Sequence, residues 1–202
     1  MIFTALDFET ADDQRDSACA VALVRVEGSR IVARATRLVR PPRREFLYTY
    51  IHGITWEDVR GEPDFGGVWP ALAPLLEGAD FLAAHNAPFD RSVLAACCAA
   101  AGIPAPALPF LCTVRLARRA WGIYPTRLPD VCGRLSIPLR HHQADSDAGA
   151  CAEIVLRAAA RPEGFDPRDH LSPDGRDEVD RFRPRSSTTT ASPRPGRPSR
   201  PR

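Results

Sequence analysis

Two carboxylates near the start of the chain, Asp7 and Glu9, are separated by one residue and follow an apolar run, Ile2-Phe3-Thr4-Ala5-Leu6. Side chains of a strand alternate between faces, so Asp7 and Glu9 project from the same face at one strand end. Like charges held together repel unless a cation lies between them. Hard divalent ions such as Mg²⁺ take oxygen ligands of this kind and keep several waters. Half of a metal site is the chemistry this spacing offers; the plain alternative is a strand end with two solvated acids. Two more acids stand out. Asp90 follows His85-Asn86-Ala87-Pro88-Phe89 at the mouth of a strand-to-helix turn, and Asp147 follows His142-Gln143-Ala144-Asp145-Ser146 at the start of a final helix. Each alone suits the positive end of a helix dipole. Four carboxylates gathered at the ends of core elements need more, because each buried ion is costly to desolvate. Two bound cations offset that cost. His142 lies in a loop ahead of Asp147, free to reach across such a site, and a neutral imidazole there accepts a proton from water at about pH 7. His141 is a rival that spacing alone does not eliminate.

The elements that must position these groups follow in order. Cys19–Val26 reads as a buried strand, Glu27–Arg30 as a tight turn using Gly28, and Arg30–Arg40 as a partly exposed strand. With the Asp7/Glu9 strand they form an antiparallel meander. Thr55 is placed to cap a short helix together with Asp58, and a second helix covers Phe65–Leu76. Ala79–His85 is a compact apolar strand. Asn86-Ala87-Pro88 turns the chain, with Pro88 suited to a first helical turn, and Phe89–Ala101 is an Ala-rich helix closed by Gly102. Ala105–Leu111 crosses to a short strand, helices follow at Val114–Ala120 and Leu128–Leu135, and the last helix runs over Asp145–Ala160. This order predicts an α/β fold: a mixed five-stranded sheet, three-strand meander plus parallel strands, flanked by helices.

The chain has 202 residues, enough for one domain and a remainder. Hydrophobic residues make up 44%, which supports a sizeable core, and a formal net charge of +2 excludes a polycation. Every basic side chain is Arg. The six cysteines form no C-x-x-C pair and sit in apolar surroundings, where cysteine acts as a small buried hydrophobe. Together with the absence of a basic-then-apolar leader and of a membrane-length apolar run, this points to a reduced, cytoplasmic setting. Residues 1–161 are expected to form the domain. Residues 162–202, rich in Pro, Arg and Ser, are expected to be a disordered tail, because such a segment buries too little apolar surface to offset its ordering entropy. The tail's arginines offer a contact for nucleic acid; a solvated appendage is the alternative.

Taken together, Asp7-Phe8-Glu9-Thr10, His85-Asn86-Ala87-Pro88-Phe89-Asp90 and His142-Gln143-Ala144-Asp145-Ser146-Asp147-Ala148 resemble, in order, the three motifs of the DEDDh 3′–5′ exonucleases. That family includes the proofreading epsilon subunit of bacterial DNA polymerase III, RNase T and oligoribonuclease. Ile51-His52-Gly53-Ile54-Thr55 matches a further family segment. The resemblance implies an RNase H-like fold, with Asp7, Glu9, Asp90 and Asp147 holding two Mg²⁺ or Mn²⁺ ions. It makes His142 the general base rather than His141, and places Thr10, His52 and Asn86 beside the terminal nucleotide. His85 is expected to be structural, and Phe89 to pack in the core. The implied activity is hydrolysis of 3′ ends of single-stranded DNA to nucleoside 5′-monophosphates, in proofreading or repair, with a DNA polymerase as a candidate partner. Exoribonuclease activity and a non-catalytic nucleic-acid-binding module are the alternatives.

Overall fold

The computed structural model describes residues 1–161 and 164–172. Most of the expected tail, from 173 onward, therefore lies outside the described residues. Six strands form one sheet: β1 (Ile2–Thr10), β2 (Ala18–Glu27), β3 (Arg30–Leu38), β4 (Phe81–Ala84), β5 (Phe110–Cys112) and β6 (Leu171–Ser172). Their order is β3-β2-β1-β4-β5-β6. The meander of β1, β2 and β3 is antiparallel, while β4 is parallel to β1 and β5 parallel to β4. The five expected strands are present, and the sheet is wider than expected by one. Leu171 and Ser172, from the segment assigned to the tail, pair antiparallel with Leu111 and Phe110. Two residues are too few to show a period, and what draws them in is the unpaired backbone edge of β5.

Among the described residues, seven α-helices accompany the sheet: α1 (Thr49–His52), α2 (Trp56–Val59), α3 (Phe65–Leu72), α4 (Ala87–Ala100), α5 (Thr113–Trp121), α6 (Leu128–Leu135) and α7 (Ala144–Ala159). The expected cap of α2 is present, with Asp58 accepting from the Thr55 backbone N–H at 2.8 Å and its hydroxyl at 2.6 Å. The helix expected over Phe65–Leu76 ends at Leu72, and Ala73–Leu76 tightens into a 3₁₀ turn. Pro74 lacks the N–H that a further α-turn would use. No helix among the described residues is long and apolar enough to cross a membrane. All six cysteines are buried and free.

The central strand β1 is covered on both faces, which is why its sequence is nearly continuous in apolar character. Phe3 and Ala5 join Ala22 and Val24 of β2 against Ala148, Cys151 and Ile154 of α7. Leu6 and Phe8 join Val21 and Leu23 against Trp69 and Leu72 of α3 and Val93 and Leu94 of α4. Small residues on the first face let α7 lie close to the sheet. Asp7 and Glu9 continue the Phe3/Ala5 row, opposite Ala22 and Ala20, and so project toward the side that α7 covers.

Candidate active site

β1 and β4 pair only from Phe3–Ala5 to Phe81–Ala83. Beyond that the two strands part at their C-terminal ends, the crevice where open α/β sheets bind ligands. Asp90, in the first turn of α4 and 2% exposed, enters this gap, and its Oδ1 accepts from the Phe8 backbone N–H at 3.3 Å. From the other side α7 brings Asp147, 4% exposed, in its own first turn. Oxygens of Asp7, Glu9 and Asp147 lie within 4.8 Å of one another. A register shift between Glu9 and Thr10, which still pairs with Ala18, interrupts the β1–β2 ladder at this point, the kind of bulge that re-aims a strand end.

The electrostatics record the crowding. Burial first, then the charges of Asp90, Asp147 and Glu9, raise Asp7 well above the usual carboxylate range. Glu9 is pushed up to about 7 by burial and by Asp147. Burial raises Asp90 and Asp147 too, the former opposed by the Phe8 N–H and the latter by His141. These directions are those of acids short of a cation. The donor set fits a divalent ion on a second ground. Asp147 Oδ2 accepts from His141 Nδ1 at 2.9 Å and from the His142 backbone N–H at 3.2 Å, whereas Asp147 Oδ1 is buried with no hydrogen-bond partner. An orphaned carboxylate oxygen beside two further acids is a ligand atom in waiting.

The two histidines divide the space unexpectedly. His141, the rival in the sequence, places its ring on Asp147, and His142 stacks on His141 with centroids 3.8 Å apart. His142 adopts a left-handed backbone, φ 66°, and its imidazole is lowered by burial and by His141, so the neutral form is favoured. His52 reaches the site rim, but both ring nitrogens are engaged there. Nε2 donates to the Thr10 carbonyl at 3.2 Å and Nδ1 accepts from the Ile54 N–H at 3.0 Å. Any contact it makes with a nucleotide is through the ring itself. Thr10 is buried beside the bulge, and Asn86 is exposed in a left-handed conformation, φ 68°, with its side chain not spent on capping α4. His85 is structural, as expected. It bridges Thr113 Oγ1 at 2.9 Å and the Thr126 carbonyl at 2.8 Å, and burial lowers it to about 4. Phe89 packs partly buried against the α3/α4 face.

Two supports went unread in the sequence. Thr113 and Thr126 lie far along the chain from the histidine they hold. Arg43 clamps buried Asp12 at 2.8 Å and also pairs with Asp16, tying the segment before α1 to the loop after β1. Neither has a local signal, since each pair is made only by folding.

A family model described as Exonuclease (RNase_T) matches residues 4–155. Among curated relatives, the chain is 31% identical over 159 residues to the PolC-type DNA polymerase III of Thermotoga maritima, covering 77% of this chain and 12% of that protein. It is 32% identical over 147 residues to exodeoxyribonuclease 10 of Escherichia coli K12, covering 67% of this chain and 59% of the relative. This chain thus spans less than two thirds of either relative. Among solved structures, the nuclease domain of 3′hExo, described as a DEDDh family member, superposes with a TM-score of 0.71 over 85% of this chain and 96% of that one, at 15% identity, and shares the RNase H-like fold. With three ordered motifs converging on one crevice and the exonuclease model spanning most of the chain, the protein belongs to the DEDDh 3′–5′ exonuclease family.

Proposed function

We propose that this chain removes nucleotides one at a time from the 3′ end of single-stranded DNA, releasing nucleoside 5′-monophosphates. Asp7, Glu9, Asp90 and Asp147 would hold two divalent ions, Mg²⁺ or Mn²⁺. The observation that carries the reading is the convergence of Asp7, Glu9 and Asp147 oxygens within 4.8 Å of one another, with the buried, unpartnered Asp147 Oδ1 among them and Asp90 near enough for its charge to raise Asp7. When bound, the ions offset the repulsion among the carboxylates and stabilise charge on the attacking and leaving oxygens.

The chain's own residues do the rest. His142, kept neutral by burial and by His141, accepts the proton of the attacking water. Its backbone N–H on Asp147 couples the position of this loop to a metal ligand. His141 holds the second donor to the same oxygen and supports the His142 ring by stacking. Thr10, His52 and Asn86 line the side where the terminal nucleotide would enter, with His52 fixing the rim to the end of β1. The preference for DNA is supported by the two relatives, named as a DNA polymerase and an exodeoxyribonuclease. The polymerase likeness also supports a role beside a DNA polymerase, in proofreading or repair.

The test is a time course with Mg²⁺ or Mn²⁺ on matched DNA and RNA strands, labelled at either end. The reading expects a ladder of shortened 5′-labelled DNA and early loss of a 3′ label as mononucleotide. Faster digestion of RNA would move the substrate to RNA, and binding without release would leave a non-catalytic module.

A further inference from the structure

We propose that the loop joining α5 to α6 is a second nucleotide subsite, in which Tyr124 stacks on an unpaired base upstream of the 3′ terminus and Arg118 faces the adjoining phosphate. The proposal rests on the nucleic-acid reading above. Tyr124 is 73% exposed, in a protein where few large apolar side chains face water. Its ring is backed by the Arg118 guanidinium, 5.9 Å from the ring centroid. Arg118 in turn donates to Thr126 Oγ1 from two nitrogens, at 3.2 and 3.0 Å. Thr126 is buried, and its carbonyl accepts from His85 Nε2 at 2.8 Å. A continuous set of contacts therefore runs from the His85-to-Asp90 motif, through Thr126 and Arg118, to an exposed ring.

The same contacts place the loop. His85 precedes Asn86 at the N-terminus of α4, the helix whose first turn carries Asp90 into the crevice. The loop is thus tied to the motif that brings Asp90 into the crevice. It is also fixed rather than loose, because Ile123 and Leu128 on either side of Tyr124 are buried in the α7-side core. An exposed aromatic ring on a loop anchored by buried neighbours, beside a cation and joined by contacts to the Asp90 motif, has the properties of a stacking platform for single strands. On α5 itself Arg115, Arg118 and Arg119 share one face at i, i+3 and i+4, opposite buried Leu116, Ala117 and Ala120. Arg119, exposed on that face, adds positive charge that a phosphate backbone would meet. Such a shelf takes a base whose face is free and rejects one stacked within a duplex, so it also selects for an unpaired 3′ end.

The experiment uses a short DNA strand with phosphorothioate linkages at its 3′ end, to slow cleavage, and 2-aminopurine in the penultimate position. Binding is read in Mg²⁺ by fluorescence anisotropy, and stacking by quenching of 2-aminopurine emission. Tyr124→Ala is expected to weaken binding about 5- to 150-fold, the range of one lost base–aromatic stack, and to abolish part of the quenching. On an unmodified strand the loss should fall on KM more than on kcat. Tyr124→Phe, which keeps the ring, should restore both binding and quenching, while Tyr124→Leu, which keeps apolar volume without a ring, should not. Wild-type affinity and quenching in Tyr124→Ala or Tyr124→Leu would overturn the proposal, as would a Tyr124→Phe as weak as Tyr124→Ala. A bound, quenched strand that is never hydrolysed would uphold the subsite and overturn the hydrolytic reading instead.

Discussion

At Asp147 one carboxylate oxygen takes two donors and the other takes none. That asymmetry makes the residue an anchor for the histidine loop and leaves one oxygen open to the proposed ions, and it sets what the two histidines can do. His142→Ala is expected to lower kcat by about 10²–10⁴-fold, the usual worth of a general base, with the fold intact. Steady-state rates of His141→Ala and His142→Ala decide between them, and a loss of that size in His141→Ala alone would transfer the role. A pH prediction follows from the acids. Glu9, raised from 4.5 to about 7, contributes its stability fully below pH 4.5 and loses it as pH climbs through about 7. His85, lowered from 6.5 to about 4, acts oppositely, adding stability as pH rises toward 6.5. Above about pH 6.5 the carboxylates dominate, so metal-free protein should lose heat stability toward about pH 8, and Mn²⁺ should restore it. Thermal unfolding with and without Mn²⁺ checks this; a metal-free Tm that climbs over the same interval would contradict it. The acids and their order were legible in the sequence because motif spacing follows secondary-structure geometry. How the adjacent histidines divide the space was not, because it depends on a left-handed turn at His142.

At the scale of elements, α7 does most to place the site, and its close fit to the sheet depends on small side chains. Gly149 is the extreme case, since a Cβ there would meet an Arg34 guanidinium nitrogen at 2.6 Å. Arg34 is an exposed, flexible side chain whose tip can swing aside, whereas glycine within a helix costs about 1 kcal/mol relative to alanine. Gly149→Ala should therefore stabilise the protein by roughly 0.5–1 kcal/mol, read as a higher urea midpoint. A lower midpoint would mean that Arg34 is held more firmly than its exposure implies. Strand and helix positions were read well where the apolar pattern was strong, as in the runs of β1 and β2 and the Ala-rich face of α7. The reading failed where a proline changed the hydrogen-bond pattern, at Ala73–Leu76, and where four residues too few to show a period formed α1. The Arg43–Asp12 clamp that steadies the approach to α1 is a tertiary contact with no sequence signature.

For the molecule as a whole, the sheet extends past the expected domain edge. Phe165 packs against the α7-side core and stacks on His170, and Leu171 and Ser172 cover the edge of β5. We propose that the folded unit reaches at least to Ser172 rather than stopping at 161. A chain truncated after Arg161 should melt lower than one truncated after Ser172 by on the order of 5 °C; equal Tm values would place the edge at 161. The sixth strand escaped the sequence because β6 is recruited by an unpaired edge and not by its own composition. The whole account rests on four acids, distant in sequence, sharing cations at one end of the sheet. Calorimetric titration of Mn²⁺ into wild type and Asp7→Ala measures that directly. Strong binding by the wild type that is weakened or lost in a folded Asp7→Ala is the predicted result, and equal binding by both proteins would contradict it.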